Sequence, residues 1–148
     1  MIIRRFVSSD RNKVSYLIRR CLNEINSEDY TADQVSFLCQ EFTPGNVQAR
    51  FVERSSYVAA QGDRILGCVT LKDNEIGSLF VNPSYNRQGI GSNLYSYAEK
   101  LAIQRGATVL WVNSSKTAVL FYKNMGYILQ EKRRDAKGGT TYFMYKKL

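Results

Sequence analysis

Asn86, Arg87, Gln88, Gly89, Ile90, Gly91 and Ser92 form a polar, glycine-bearing stretch between an apolar run, Ile76 to Val81, and a helix-patterned run, Leu94 to Arg105. Two glycines one residue apart at the mouth of a helix let consecutive backbone N–H groups turn toward one point, where the helix dipole adds partial positive charge. A pyrophosphate fits such a place. The dinucleotide fingerprint does not, because its third glycine would fall on Leu94 and the strand after the helix ends in Asn113 rather than Asp or Glu. A P-loop needs a lysine that this loop lacks.

A second segment stands apart from the first. Ala118-Val119-Leu120-Phe121-Tyr122-Lys123-Asn124-Met125-Gly126-Tyr127 reads as a helix that stops at a glycine and carries a phenol near its end. In this order and spacing the two segments resemble motif A and the closing motif of the GCN5-related N-acetyltransferases. Motif A is a Gln/Arg-x-x-Gly-x-Gly/Ala loop that holds the pyrophosphate of acetyl coenzyme A, and the closing helix ends in Phe-Tyr-x-x-x-Gly-Phe/Tyr. Asn86 stands where the family has Gln or Arg, whereas Arg87 through Gly91 fit, as does the approach through Val81-Asn82-Pro83. The likeness covers the chain in outline and is sharp from Glu75 to Tyr127.

The resemblance implies a set of roles. Backbone groups of Leu79, Phe80 and Val81 would hold the pantetheine arm, and those of Arg87, Gln88, Gly89, Ile90, Gly91 and Ser92 the diphosphate. Tyr122 aligns with the tyrosine that protonates the departing thiolate, a task that suits a phenol with a pKa near 10. Glu75 falls where histone-type members carry a general base. Asn113 resembles an asparagine that touches the pantetheine arm or the acceptor; its plainer reading is a helix N-cap.

Composition narrows the chemistry independently. The 148 residues suit one domain, residues 1–148, burying about two-thirds of the surface of the unfolded chain. With no histidine, Ser-His-Asp and Cys-His catalysis are excluded, and a zinc site would lack its commonest nitrogen ligand, so no metal is expected. Cys21, Cys39 and Cys68 are odd in number and set in apolar patterns, which reads as buried free thiols. Cys68 has no histidine to activate it and lies away from both motifs in sequence, so a covalent acyl-enzyme is not expected. No signal peptide and no run of roughly 20 apolar residues is visible, so the expectation is a soluble, cytoplasmic protein with no membrane partner. The balance of 21 Lys+Arg against 13 Asp+Glu, +8, favours anionic encounters. It permits tRNA without favouring it.

Periodicity supplies the elements that must position these residues. Ile2 to Val7 alternates as a strand, and Val14, Leu17, Ile18, Cys21, Leu22 and Ile25 recur at helical steps. Thr31 with Gln34 forms a capping box for a second helix, which Thr43-Pro44-Gly45 is expected to end. Tyr57 to Gln61, Ile65 to Leu71 and Glu75 to Val81 read as three antiparallel strands joined at Gly62-Asp63 and Asp73-Asn74. The helix Leu94 to Arg105, with Leu94, Tyr97, Ala98, Leu101 and Ala102 inward, leads to a buried strand, Val109 to Val112, which must be parallel to the strand before the helix. A helix from Lys116 to Asn124 and a hairpin, Tyr127 to Glu131 with Thr140 to Lys146, complete the chain.

These elements add up to an α/β (α+β) fold with a mixed six- or seven-stranded sheet and helices on both faces. The resemblance further implies that the two central parallel strands splay apart to admit the cofactor. The activity it implies is transfer of acetyl from acetyl coenzyme A to a primary amine, either a small molecule, a protein amine or the amino group of an aminoacyl-tRNA. Acceptor choice would lie in the N-terminal helices, with Tyr30 and Phe37, and in the last hairpin. Dimers are common in that fold. The other reading open at this level is a non-enzymatic domain that senses coenzyme A or binds an acidic partner.

Overall fold

The computed structural model describes residues 1–148. One seven-stranded sheet runs through it in the order β1-β2-β3-β4-β5-β7-β6. The strands are β1 (Ile2–Arg5), β2 (Ser55–Gln61), β3 (Arg64–Lys72), β4 (Glu75–Val81), β5 (Val109–Ser114), β6 (Ile128–Asp135) and β7 (Gly139–Lys147). Five helices accompany them: α1 (Arg11–Glu24), α2 (Ala32–Glu41), α3 (Pro44–Val52), α4 (Ile90–Gln104) and α5 (Val119–Asn124). Every neighbouring pair is antiparallel except β4 with β5. The fold class and the parallel pair are those expected.

Each face of the sheet carries its own core. On one face α1 and α3 bury Val14, Leu17, Ile18, Val47 and Phe51 against Val58, Ala60 and Cys68. On the other, α4 buries Leu94, Tyr95 and Ala98 against Val69, Ile76, Leu110 and Val112, with Tyr122, Tyr127 and Met144 completing the layer. The inward aromatic of α4 is therefore Tyr95; Tyr97, expected on the inward face, is exposed and packs its ring on Tyr57 at 4.7 Å.

Local sequence explains most boundaries. Thr31 and Gln34 make the capping box, with Gln34 N–H donating to Thr31 Oγ1 at 3.2 Å and Thr31 N–H to Gln34 Oε1 at 3.0 Å. Helix α2 stops at Glu41, just before Thr43-Pro44-Gly45 as expected, but the same residues also open α3: Thr43 Oγ1 accepts from Asn46 N–H at 3.3 Å and Pro44 occupies the first turn. Proline suits that position because its missing N–H would have had no helical partner anyway. Helix α4 starts at Ile90, earlier than Leu94, so the second half of the glycine loop is itself the first helical turn. Helix α5 begins only at Val119, after a turn at Ser115 to Ala118.

Candidate active site between β4 and β5

Strands β4 and β5 pair only at Glu75 with Trp111 and Ile76 with Val112. Beyond Ile76 they part. The cause lies in β4: between the pairs Thr70–Gly77 and Cys68–Phe80, the two residues Ser78 and Leu79 oppose the single residue Val69. Such a bulge bends its strand. Ser78 takes a left-handed φ of 46°, a conformation that costs of order 1 kcal/mol for a residue with a Cβ. The thiol of Cys68 donates to the Ser78 carbonyl at 3.3 Å. Within a trans peptide the next N–H is antiparallel to that carbonyl, so the Leu79 N–H points away from Cys68.

The divergence opens a cavity of about 290 Å³. Its walls include Gly77 to Val81 on β4, Asn113 and Ser114 on β5, and Ala118 and Tyr122 around α5. Asn86, Tyr30, Leu38, Phe42 and Thr141 also line it. Leu79, Phe80, Val81, Asn113 and Tyr122 thus converge. Asn113 lies within β5 opposite Phe143, so its plainer reading as a helix cap does not apply. Ser115 closes the turn that precedes α5, its Oγ accepting from Ala118 N–H at 3.3 Å.

Tyr122 is held in an aromatic cluster, its ring centroid 5.4 Å from Tyr127, 5.3 Å from Phe121 and 6.5 Å from Tyr95. That cluster is anchored by polar contacts: Tyr95 Oη donates to Glu99 Oε2 at 2.6 Å, and Lys146 Nζ meets the same oxygen at 2.7 Å. Burial pushes the Tyr122 phenol above its ordinary range, with Tyr127 adding to the effect, so it stays protonated.

The glycine loop lies beside the cavity at the start of α4. Gly89, with φ 78°, is the residue before the first helical turn, and its carbonyl accepts from Asn93 N–H at 3.0 Å. A side chain there would be strained whatever the space around it. No side chain caps this helix and no acidic residue occupies its first turn. The N–H groups of Ile90, Gly91 and Ser92 therefore have no intrahelical partners, an arrangement that favours negative charge at the helix start. Gly91 packs closely, a Cβ there lying 3.4 Å from Val81. Arg87 is also left-handed, at φ 63°, and Arg87, Gln88 and Ser92 are exposed.

Glu75 is not among the cavity residues. It stands at the closed end of the β4–β5 pair, opposite Trp111 and Lys72, one residue before Ile76, which does reach the cavity. No Asp or Glu lines the cavity at all. The other correction concerns the thiols. Cys68 lies against the bulge of β4 and touches the carbonyl of Ser78, a residue outside both motifs. Burial pushes its thiol far up, and that of Cys21, which donates to the Val81 carbonyl at 3.0 Å, up to about 12. Neither is a thiolate nucleophile. Cys39 is only half-buried.

Comparison with known proteins now decides the family. The model of the "Acetyltransferase (GNAT) domain" matches residues 26–148. The chain belongs to the GNAT acetyltransferases. It is 23% identical over 145 residues to an uncharacterized N-acetyltransferase, YafP, of Escherichia coli K12, covering 96% of this chain and 93% of that protein. Among solved structures, a GCN5-related N-acetyltransferase from Rhodopseudomonas palustris aligns with TM-score 0.93 at 24% identity, covering 99% of this chain and 95% of the other. The PaiA N-acetyltransferase of Thermoplasma acidophilum, solved in complex with coenzyme A, aligns with TM-score 0.83 at 17% identity over 99% and 98% of the two chains. No helix of this GNAT protein is long and apolar enough to cross a membrane.

Other residues around the cavity carry little signal in the sequence. Asn26 Nδ2 donates to Ser115 Oγ at 3.3 Å, and Asp29 Oδ2 accepts from Thr117 N–H at 3.0 Å and from its hydroxyl at 2.5 Å. These bonds tie the segment before α2 to the loop after β5. Gly139, which reads in the sequence as a turn residue, has φ 84°, and a Cβ there would lie 2.6 Å from the Tyr30 ring. Tyr30 is thereby seated on the last hairpin, a long-range contact that no local pattern encodes.

Proposed function

We propose that this protein, as a single acetyltransferase domain, transfers acetyl from acetyl coenzyme A to a primary amine by direct attack. The observation that carries the reading is the continuous cavity between the splayed strands, with the uncapped helix start beside one end and a buried, protonated Tyr122 on its wall. Acetyl coenzyme A, when bound, supplies the thioester. The first turn of α4 holds the diphosphate through Gly89, Ile90, Gly91 and Ser92, with Arg87 and Gln88 flanking it. The edge of β4 that β5 has left, at Leu79, Phe80 and Val81, offers backbone groups to the pantetheine amides, and Asn113 completes that wall from β5.

The chemistry follows from these placements. The Leu79 N–H, turned away from Cys68 by the bulge, donates to the oxyanion that develops on the carbonyl. As the amine nitrogen bonds to carbon and the carbon–sulfur bond breaks, Tyr122 gives its proton to the leaving thiolate. Because no carboxylate lines the cavity, the ammonium proton leaves through water, with Glu75 as the eventual base. The bonds at Asn26, Asp29 and Tyr30 roof the acceptor end, which favours a small amine over a protein or a charged tRNA. The three unpaired thiols suit a reducing, cytoplasmic setting.

The test is release of coenzyme A thiol on mixing protein, acetyl coenzyme A and a panel of amines, in wild type and Tyr122→Phe. Turnover reduced about 100-fold by Tyr122→Phe, a loss typical of a general acid, with cofactor affinity intact, supports the enzyme. Binding of acetyl coenzyme A with no thiol release by any amine would indicate a coenzyme A sensor instead.

A further inference from the structure

The walls of the cavity between β4 and β5 carry no charge. None of the 21 residues that line it is Lys, Arg, Asp or Glu, although such residues make up 23% of the chain, and the chain has no histidine. The lining groups that could ionise are the Cys21 thiol and the Tyr30 and Tyr122 phenols. Burial raises all three above their ordinary range, so each is protonated and neutral at neutral pH. The remaining polar side chains of the lining are amides or hydroxyls, as at Asn26, Asn113 and Thr141.

The layering of the fold shows which wall an acceptor meets. Helix α4, with the diphosphate position at its start, packs on one face of the sheet, and α1 with α3 on the other. Leu22 of α1, Leu38 of α2 and Phe42 belong to that second face, and all three line the cavity. The wall across the sheet from α4 is thus apolar. Charged groups behind it are engaged outside the cavity. Asp29 accepts from the Thr117 N–H and hydroxyl, and Arg20 of α1 pairs with Glu24 at 2.6 Å. Arg50 of α3 lies over the Phe42 ring at 4.7 Å with Glu41 at 3.7 Å, and Arg54 has Glu53 at 3.7 Å. Glu75 stands one residue before Ile76, outside the lining.

We propose that the acceptor is a small monoamine with no second charge, its uncharged body packing on Leu22, Leu38 and Phe42. The inference rests on the acetyltransferase reading above and deepens it. A carboxylate, a phosphate or a second ammonium brought against this wall loses its water and finds no counter-ion, a penalty that apolar contact does not offset. Free amino acids, polyamines and multiply charged amino sugars are therefore poor acceptors. The ammonium form of the acceptor meets the same penalty, so its nitrogen reacts as the free amine. The nitrogen lone pair forms the carbon–nitrogen bond, the carbon–sulfur bond breaks, and the sulfur takes the Tyr122 proton. The surplus proton on nitrogen passes to water, and solvent restores the proton of Tyr122.

The experiment compares acceptors that share a body and differ by one charge: pentylamine with cadaverine, and phenylethylamine with phenylalanine. Thiol release gives kcat/KM per free amino group, and acetyl coenzyme A titration runs alongside as an independent readout. In wild type each monoamine is expected to exceed its charged partner by about 100-fold, the scale of an unpaired charge in an apolar site. Leu38 is only half-buried, so a polar residue is tolerated there. Leu38→Glu sets a carboxylate in the wall and is expected to raise kcat/KM for cadaverine by about tenfold while lowering it for pentylamine; Leu38→Gln, of the same shape without the charge, brings no such gain. Equal or better turnover of cadaverine or phenylalanine in wild type overturns the proposal. So does a folded Leu38→Glu protein that binds acetyl coenzyme A and shows no gain with cadaverine, because the acceptor body then lies elsewhere. Failure to bind acetyl coenzyme A, or binding without thiol release by any amine of either kind, would instead bring down the acetyltransferase reading and this inference with it.

Discussion

The thiol of Cys68 on β3 donates to the carbonyl of Ser78 on β4 at 3.3 Å, inside the bulge that separates β4 from β5. One contact thus bears on two features of the site, the left-handed Ser78 and the direction of the Leu79 N–H. Cys68→Ala removes the donor and leaves a small void in a fully buried position. It is expected to cost about 1–3 kcal/mol in urea unfolding and to lower kcat for acetyl transfer more than it weakens acetyl coenzyme A binding. Unchanged kcat in a folded variant would show that the contact does not orient the oxyanion donor.

Tyr122 should show its elevated pKa in the rate profile. A phenol raised above its ordinary range stays protonated through neutral and mildly basic pH, so kcat should not fall on the basic side until beyond the usual tyrosine range. Glu75→Gln is expected to lower kcat while leaving the basic side of the profile unmoved. A basic limb near neutrality that vanishes in Tyr122→Phe would contradict the assignment.

Much of this was readable in advance, and the divisions are physical. The capping box at Thr31 and Gln34, the turn at Gly62-Asp63 and the parallel pair around α4 all rest on local chemistry or on handed connectivity, and all are present. Helix α3 escaped because Thr-Pro-Gly serves equally to stop one helix and to start the next. Tyr95 takes the inward place expected of Tyr97 because two residues turn a side chain by about 200° on a helix, and the small apolar neighbours leave open which aromatic faces the core. The bulge at Ser78 and the Tyr30–Gly139 seat depend on residues distant in sequence, so no local pattern announces them.

The network behind Tyr122 makes stability depend on pH. Burial raises the Glu99 carboxyl, but hydrogen bonds from Lys146 and Tyr95 outweigh it and the net shift is downward. A folded pKa below the unfolded value means that the contribution is complete above the ordinary Glu range and is lost as pH falls through the folded value. Glu99→Gln should cost roughly 1–3 kcal/mol at pH 7 and flatten the stability profile on the acid side. Equal acid sensitivity in urea titrations of the two proteins would contradict this account.

Gly139→Ala tests the roof of the acceptor end. The new Cβ would lie 2.6 Å from the Tyr30 ring in a left-handed backbone, so Tyr30 must move. The variant is expected to raise KM for the amine by about tenfold, equivalent to about 1.4 kcal/mol, with acetyl coenzyme A binding unchanged. Steady-state kinetics with the amine varied would settle it, and an unaltered KM would remove Tyr30 from the acceptor site.

The central claim is that the start of α4 holds the diphosphate of acetyl coenzyme A, and calorimetric titration of the wild type and Gly89→Glu tests it most directly. The substitution forces a Cβ into φ 78° and sets a negative charge where N–H groups must meet an anion. Micromolar binding in the wild type, abolished in a variant that remains folded, is the predicted result. A wild type that binds no acetyl coenzyme A, or a folded Gly89→Glu protein that binds it equally well, would contradict the account.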